Sequence, residues 1–524
     1  MDTRMTPRRR PWQTVRGPAA ALAAAALLLG ACALQPRPVT PAETQERIDH
    51  DLATIFDDQE PLGGPITLHE AMARAIRYNL DHRVRIIEEA LAQRQFDLAR
   101  YDLLPAVVAG TGFVGRSNTS ASFSENVFTG EQSLVTSTSL EDERYVADMA
   151  MVWNVLDFGV SYYTARQQAD RSLIAYERRR RAIQDIIQDV RTAYWRAVAA
   201  EQLLDRITPL LARVEVALET WQRIERQGLQ PPLDALLAQR TLLETRRQLE
   251  VLRRELSLAR AQLAALINVP PGSEIRVVVP AAEDYRIPEI DTTPPEMELV
   301  ALANRPELRE EDYQTRVARA EIRKAHLRLL PGVEFDAGIN FDSNSFLLNN
   351  FWSDYGIRVS WDLLSVISGA PQVRFAEAQQ ELVEARRQAL TMAVIAQVYV
   401  SWLTYQEALD VYETAAALDA VENRILDRTR ATRAVGRGGE LDLIQTELRA
   451  LVAALRRQLA YAQLQNAAGQ VFVSVGADPL PDTVPGVTID SLAAALQDIE
   501  AGWYRGDFNL VADPAQAAAA VPGS

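Results

Sequence analysis

The chain has 524 residues but only one cysteine and four histidines, and Lys324 is its one lysine. A lone cysteine excludes an internal disulfide framework. A lone lysine without flanking glycines excludes a phosphate-binding loop. His50, His69, His82 and His326 stand at no metal-ligand spacing and read as helix-surface residues, so neither a metal nor a cofactor is expected. Past the N-terminal region, no hydrophobic run is long enough to cross a bilayer as a helix. Basic excess is missing as well: the formal charge is −15, which argues against nucleic acid as a partner. No catalytic constellation assembles, so no enzymatic activity is expected; Asn118-Thr119-Ser120 matches a glycosylation acceptor and is given no weight.

What is present begins with Arg8, Arg9, Arg10 and Arg16 ahead of an apolar run from Ala19 to Leu29. That run is too short for a transmembrane helix and suits a signal peptide, residues 1–31. It ends in Leu29-Gly30-Ala31-Cys32, which resembles the lipobox of bacterial lipoproteins, in which the cysteine is lipidated and becomes the new N-terminus. Ala33, which follows, is not the aspartate that retains many such lipoproteins at the inner membrane. Removing residues 1–31 takes away five arginines and one aspartate, so the −15 of the whole chain becomes −19. Residues 32–65 read as a lipid-anchored tether, extended or carrying a short helix.

Two later runs alternate with a period of two. Val333, Phe335, Ala337, Ile339 and Phe341 alternate with Glu334, Asp336, Gly338, Asn340 and Asp342; Tyr355, Ile357, Val359 and Trp361 alternate with Gly356, Arg358, Ser360 and Asp362. Such a period puts the apolar set on one face of a sheet and the charged set on the other. Each run is about nine residues, enough for a tilted strand to cross a bilayer. A hairpin of a soluble domain, packed on helices, explains the two runs equally well.

Most of the remaining chain is helical. Ile183, Ile187, Val190, Tyr194, Ala197, Leu204, Ile207, Leu211, Val214, Leu218 and Trp221 recur mostly at three- and four-residue steps, the pattern of a coiled-coil face. Gly228 and Pro231-Pro232 break this helix, and Leu249, Leu252, Leu256, Ala259 and Leu263 bring the chain back. The pattern then repeats. Leu104-Pro105 recurs as Leu330-Pro331, Trp153 as Trp361, and Gly228-x4-Leu233-Asp234 as Gly436-x4-Leu441-Asp442. Trp153 and Gly228 shift by the same interval, so the outgoing helix is expected to have one length in both halves; the loop between the strands absorbs the difference. A duplication supplies four strands, whereas the smallest membrane barrel needs eight, so spanning strands require several chains in one barrel. In that case Glu334, Asp336 and Asp342, with Arg358, line a wet lumen, and Phe335, Ile339, Tyr355, Val359 and Trp361 face lipid.

The ordered set of Asn304-Arg305-Pro306-Glu307-Leu308 with its degenerate partner Asn79-Leu80, the two Leu-Pro pairs, Trp153-x2-Leu156-Asp157-Phe158-Gly159 and the two Gly-x4-Leu-Asp breaks resembles the TolC-like outer membrane efflux protein family, lipoprotein subgroup. The resemblance implies a mainly α fold with a membrane β part. The unit of helix, strand pair and long coiled-coil hairpin is duplicated, and a homotrimer forms a 12-stranded β-barrel continued by an α-helical tunnel. It divides the chain into a first repeat at 66–269 (strands about 106–116 and 144–154, hairpin about 160–268), a linker at 270–295, a second repeat at 296–480 (strands 333–342 and 354–362, hairpin about 370–475) and a C-terminal segment at 481–524 with a disordered tail. It further implies residence in the outer membrane, a periplasmic adaptor (membrane fusion protein) and an inner-membrane pump as partners, and passive conduction. The hairpin tips would close the periplasmic mouth. Asp442 falls on an acidic ring at the constriction, with Gln445 where a second acid can stand, and Asp234 falls on an acid that ties neighbouring helices shut; Arg433 is placed to pair with such an acid. Both aspartates also read as helix caps. Two alternatives stay open: a lipid-anchored periplasmic coiled-coil scaffold or adaptor, and, within the class, a conduit for type I secretion or polysaccharide export.

Overall fold

Capping side chains and turn glycines place the breaks between the helices. The computed structural model describes residues 37–57, 59–133, 135–270, 272–280, 285–437, 439–479 and 488–508. The expected signal peptide, Cys32 and the tail beyond residue 508 lie outside those residues. Residues 37–57 form a unit of their own around helix α1 (Pro41–Thr54), where Thr40 and Glu43 make a reciprocal capping box.

In the second unit, α2 (Leu68–Tyr78) and α3 (Leu80–Tyr101) lead into β1 (Ala106–Gly115), the short strands β2 (Ala121–Ser122) and β3 (Ser137–Thr138), and β4 (Glu143–Asn154). Helix α4 (Val155–Arg226) starts at once, because the Asn154 side chain accepts hydrogen bonds from the amides of Leu156 and Asp157. It runs 72 residues, on the order of 100 Å at the α-helical rise, with Pro209 in its interior. Gly228 ends the turn at φ 63°, a value only glycine adopts cheaply, and α5 (Pro232–Leu266) returns. The second half repeats this plan: α6 (Pro294–Asn304), α7 (Pro306–Leu327), β5 (Gly332–Asp342), β6 (Phe351–Ser360), α8 (Leu363–Ala434) and α9 (Glu440–Ser474). Helix α8 also runs 72 residues, and both return helices run 35. Asp362 caps α8, whose Pro371 sits within the helix rather than at its start, and α10 (Ile489–Tyr504) closes the described chain.

The Asn motifs hold each repeat to its own returning helix. Asn79 donates to the carbonyl of Leu266 (3.0 Å) and caps α3 through the amides of Asp81 and His82. Asn304 donates to the carbonyl of Gly476 (2.8 Å), and Arg305 to that of Ser474 (3.2 Å). The main core lies where both hairpins meet α2, α6 and α10, around Ile183, Val190, Val198, Leu263, Val398, Val471 and Phe472. A second core joins the far half of α4 to α5 and α9 through Leu203, Val214, Leu242, Leu249 and Ile444.

Two histidines depart from the helix-surface expectation. His82 is buried, with Nδ1 2.6 Å from the Ile76 carbonyl, and burial lowers its pKa. His69 reaches Glu500 on α10 (2.7 Å), which also receives the fully buried Arg191 of α4 (2.6 Å). Burial alone would raise the Glu500 pKa; Arg191 and His69 hold it down at about 2.

Candidate functional site

The four long strands form one antiparallel sheet in the order β1-β4-β5-β6, which leaves β1 and β6 as open edges among the described residues. The register sorts their side chains cleanly. Met149 stands opposite Ile339, Met151 opposite Ala337 and Trp153 opposite Phe335; on the far side Val333 stands opposite Val359 and Phe335 opposite Ile357. Val107, Phe113 and Tyr145 complete this apolar face, and it is bare: Tyr355 is 90% exposed and Ile357 70%. A hairpin packed on helices would have covered them, so the soluble-hairpin reading fails on burial. Two details of the sequence reading change. Strand β6 begins at Phe351, so Tyr355 lies mid-strand and Phe351 takes the end position; Trp361, just past the strand, donates to the Leu329 carbonyl.

The opposite face is polar. Glu334 pairs across the strands with Arg358 (3.5 Å), and Asn340 donates to Asp354 (2.8 Å). Three aspartates lie flat over cross-strand glycines: a Cβ at Gly110 would stand 2.8 Å from the Asp148 carboxylate, one at Gly338 2.7 Å from Asp354, and one at Gly356 2.7 Å from Asp336. Together with Asn340 and Trp352, these aspartates bound a cavity of about 310 Å³. Asp342 behaves differently from its expected partners Glu334 and Asp336. It is buried, ion-paired with Arg144, and accepts from the Asn344 amide, so it braces the loop rather than presenting a free carboxylate. Asp148 and Asp354 were not singled out in the sequence. Both fall within expected strands, Asp148 in 144–154 and Asp354 at the first position of 354–362, but neither belonged to the carboxylate set read from 333–342.

At the other end of the hairpins, Asp234 and Asp442 both occupy the first turn of a return helix, where a carboxylate suits the exposed amides and the helix dipole. The structure does not bring Arg433 to either aspartate: it pairs with Glu440. Glu440 also receives Arg213 of α4 (2.9 Å), Arg213 reaches Glu447, and Arg430 reaches Glu447 (3.4 Å), so one ion-pair network ties α4, α8 and α9 together. Burial opposes the Arg213 charge, but hydrogen bonds to Glu440 and Glu447 keep its pKa above the ordinary value. Asp442 instead borders a groove of about 510 Å³ together with Arg424, Arg428, Arg433 and Arg437.

A bare apolar face backed by a polar one, duplicated long hairpins and open sheet edges agree with the comparisons to known proteins. The sequence profile of the outer membrane efflux protein family matches residues 73–269 and 300–477. The chain belongs to that family. No curated protein matches it in sequence. Among solved structures, the Campylobacter jejuni CmeC outer membrane channel aligns over 89% of this chain and 99% of its own, with 12% identity and a TM-score of 0.62. The open-state MtrE outer membrane channel of Neisseria gonorrhoeae aligns over 79% and 94%, with 17% identity and a TM-score of 0.59. CusC, whose structures concern folding and transmembrane channel formation, aligns over 85% and 100%, with 16% identity and a TM-score of 0.60. At these identities the likeness shows the fold. Family membership makes the protein an outer membrane efflux channel of tripartite systems, a class of passive channels.

Proposed function

We propose that this family member works as a lipid-anchored homotrimer whose three four-stranded sheets close into one 12-stranded barrel, continued by a helical tunnel, and that it passively conducts substrates delivered by an inner-membrane pump through a periplasmic adaptor. The observation that carries this reading is the exposed apolar face on a sheet with two open edges. Backbone groups at an open edge cannot remain unpaired in lipid, so β1 of one copy must meet β6 of the next. In the closed barrel Glu334, Asp336, Asp148, Asp354 and Arg358 line the lumen, and Asp342 braces its outer rim. Asp442 and Asp234 stand at the periplasmic constriction, where Arg433 acts through Glu440 rather than through either aspartate. Cys32 carries the lipid.

The test uses Cys32 as the sole native thiol. With Cys32 lipidated, cysteines placed at Val108 in β1 and Arg358 in β6 should join through a short bifunctional maleimide into covalent dimers and trimers, and native mass in detergent should be three times that of the chain. A monomeric mass with no cross-linked species contradicts the proposal and favours the anchored scaffold.

A further inference from the structure

The apolar interior of the hairpins comes in two pieces. The main core reaches Val198 on α4, Leu263 on α5 and Ala460 on α9, and the second core takes over at Ala199, Ala259 and Leu455. At that level the contacts between the helices turn polar. Arg260 of α5 pairs with Glu201 of α4, Gln458 of α9 donates to Gln202 of α4, and Arg457 of α9 reaches the buried Asp419 of α8 (3.1 Å). Tyr285, from the linker between the repeats, inserts into this layer. Its hydroxyl accepts from Gln202 (3.0 Å) and Gln458 (3.2 Å), its ring meets that of Tyr461 with centroids 4.8 Å apart, and the Arg457 guanidinium stands 5.7 Å from its centroid. The residues after it are strapped down: Tyr461 and Gln465 donate to the Arg286 carbonyl (3.1 and 3.3 Å), and Tyr405 of α8 donates to that of Pro288.

We infer that this polar layer is the joint on which the lower hairpins tilt, and that Tyr285, with Gln202 and Gln458, is the set of residues that positions it. Interdigitated apolar side chains hold one arrangement, because any shift opens voids or clashes. The layer is different: Gln202, Gln458 and the Tyr285 hydroxyl all bond to one another, so a turn of α9 against α4 exchanges partners without stranding a buried polar group. Below the layer, the second core and the Arg213, Glu440 and Glu447 ion pairs bind the helices into one body. Above it, the strap fixes α8 and α9 to the linker. From Gln202 to Arg226 the lever is about 36 Å at the helical rise, so a tilt of about 10° moves the tip by about 6 Å. Asp234 and Asp442 ride on that tip. That the tilt opens or narrows a mouth rests on the channel reading; the joint itself rests on the packing within one chain.

The experiment measures distances between copies by pulsed electron paramagnetic resonance on the full-length, lipidated protein in nanodiscs, alongside single-channel recording. Spin labels go on Gln227→Cys at the tip and, as the control on the main core, on Asp498→Cys of α10; the lipidated Cys32 takes no label. Gln202→Leu/Tyr285→Phe/Gln458→Leu replaces the shared hydrogen bonds by apolar groups of similar shape and joins the two cores. The spread of tip distances should then narrow, and opening and closing transitions should become about tenfold rarer. Tyr285→Phe alone leaves the glutamines bonded to each other but unpinned, so the tip spread should widen and transitions should become several-fold more frequent. The control distances should stay the same in both variants. A purely structural layer would lower the melting temperature and leave tip distances and transition rates alone, which overturns the joint; so would equal changes at both labels, or changes of the same sign in both variants. Altered tip distances in a protein that never conducts would refute the channel and leave the joint standing, whereas conduction with tip distances unmoved by either variant would do the reverse.

Discussion

Ile339 and Asn340 are neighbours on β5 and point to opposite faces, which makes them a matched pair of probes. Ile339 stands opposite Met149 and Ser353 on the bare face, two residues from the middle of the strand; Asn340 stands opposite Asp148 on the polar face and donates to Asp354. An arginine on the lipid face of a barrel costs about 2–4 kcal/mol near the midplane. Ile339→Arg should therefore cost at least about 2 kcal/mol per chain and roughly 6 kcal/mol per trimer, since each barrel carries three copies. Asn340→Arg places the same charge beside Asp148 and Asp354, in water, and should change stability by no more than about 0.5 kcal/mol. The assay is the fraction of protein that folds into vesicles as a denaturant-resistant trimer. Ile339→Arg should lose most of that fraction and Asn340→Arg should retain it. Equal losses would mean that the two faces do not meet different solvents, and the spanning assignment would fall.

Three further outcomes are expected. Glu500, held at about 2 by Arg191 and His69, contributes stability that is complete above the ordinary glutamate value of 4.5 and is lost as pH falls through about 2; thermal unfolding should show no loss from this group between pH 7 and pH 5, while Arg191→Leu should cost about 3–5 kcal/mol at neutral pH by leaving Glu500 buried beside a neutral side chain. Asn304→Ala strands the Gly476 carbonyl and should cost about 1–3 kcal/mol in chemical denaturation, and an unchanged midpoint would remove the tie between α6 and the end of α9. Cys32→Ser should abolish incorporation of a radiolabelled fatty acid; label retained by the variant would place the anchor elsewhere.

The strands and hairpins were legible because their patterns are local. The alternation in 333–342 needs only a period of two to sort its faces, and Gly228 and Gly436 announce the turns by the backbone conformation they allow. Side chains that act through partners distant in sequence were not legible. Arg424 and Arg428 look like solvated helix positions until Asp442 and Arg437 arrive from across the turn. Arg433 was aimed at an aspartate, but Glu440, closer along the chain and at the N-terminus of α9, captures it. His82 lacked any apolar signal of its own; it is buried in the first turn of α3, where its amide donates to the Asn79 cap and its ring meets the Ile76 carbonyl. The second hairpin was expected from about 370, yet Asp362 caps α8 two turns earlier and Pro371 is absorbed within the helix.

The central claim is that the sheets of three chains enclose a water-filled path. Planar-bilayer recording of the purified trimer tests it most directly. Discrete, long-lived openings, altered in conductance when Asp148 or Asp354 is replaced by arginine, are the predicted result. A protein that inserts into or coats the membrane without passing current, under conditions where it remains folded, would contradict the account.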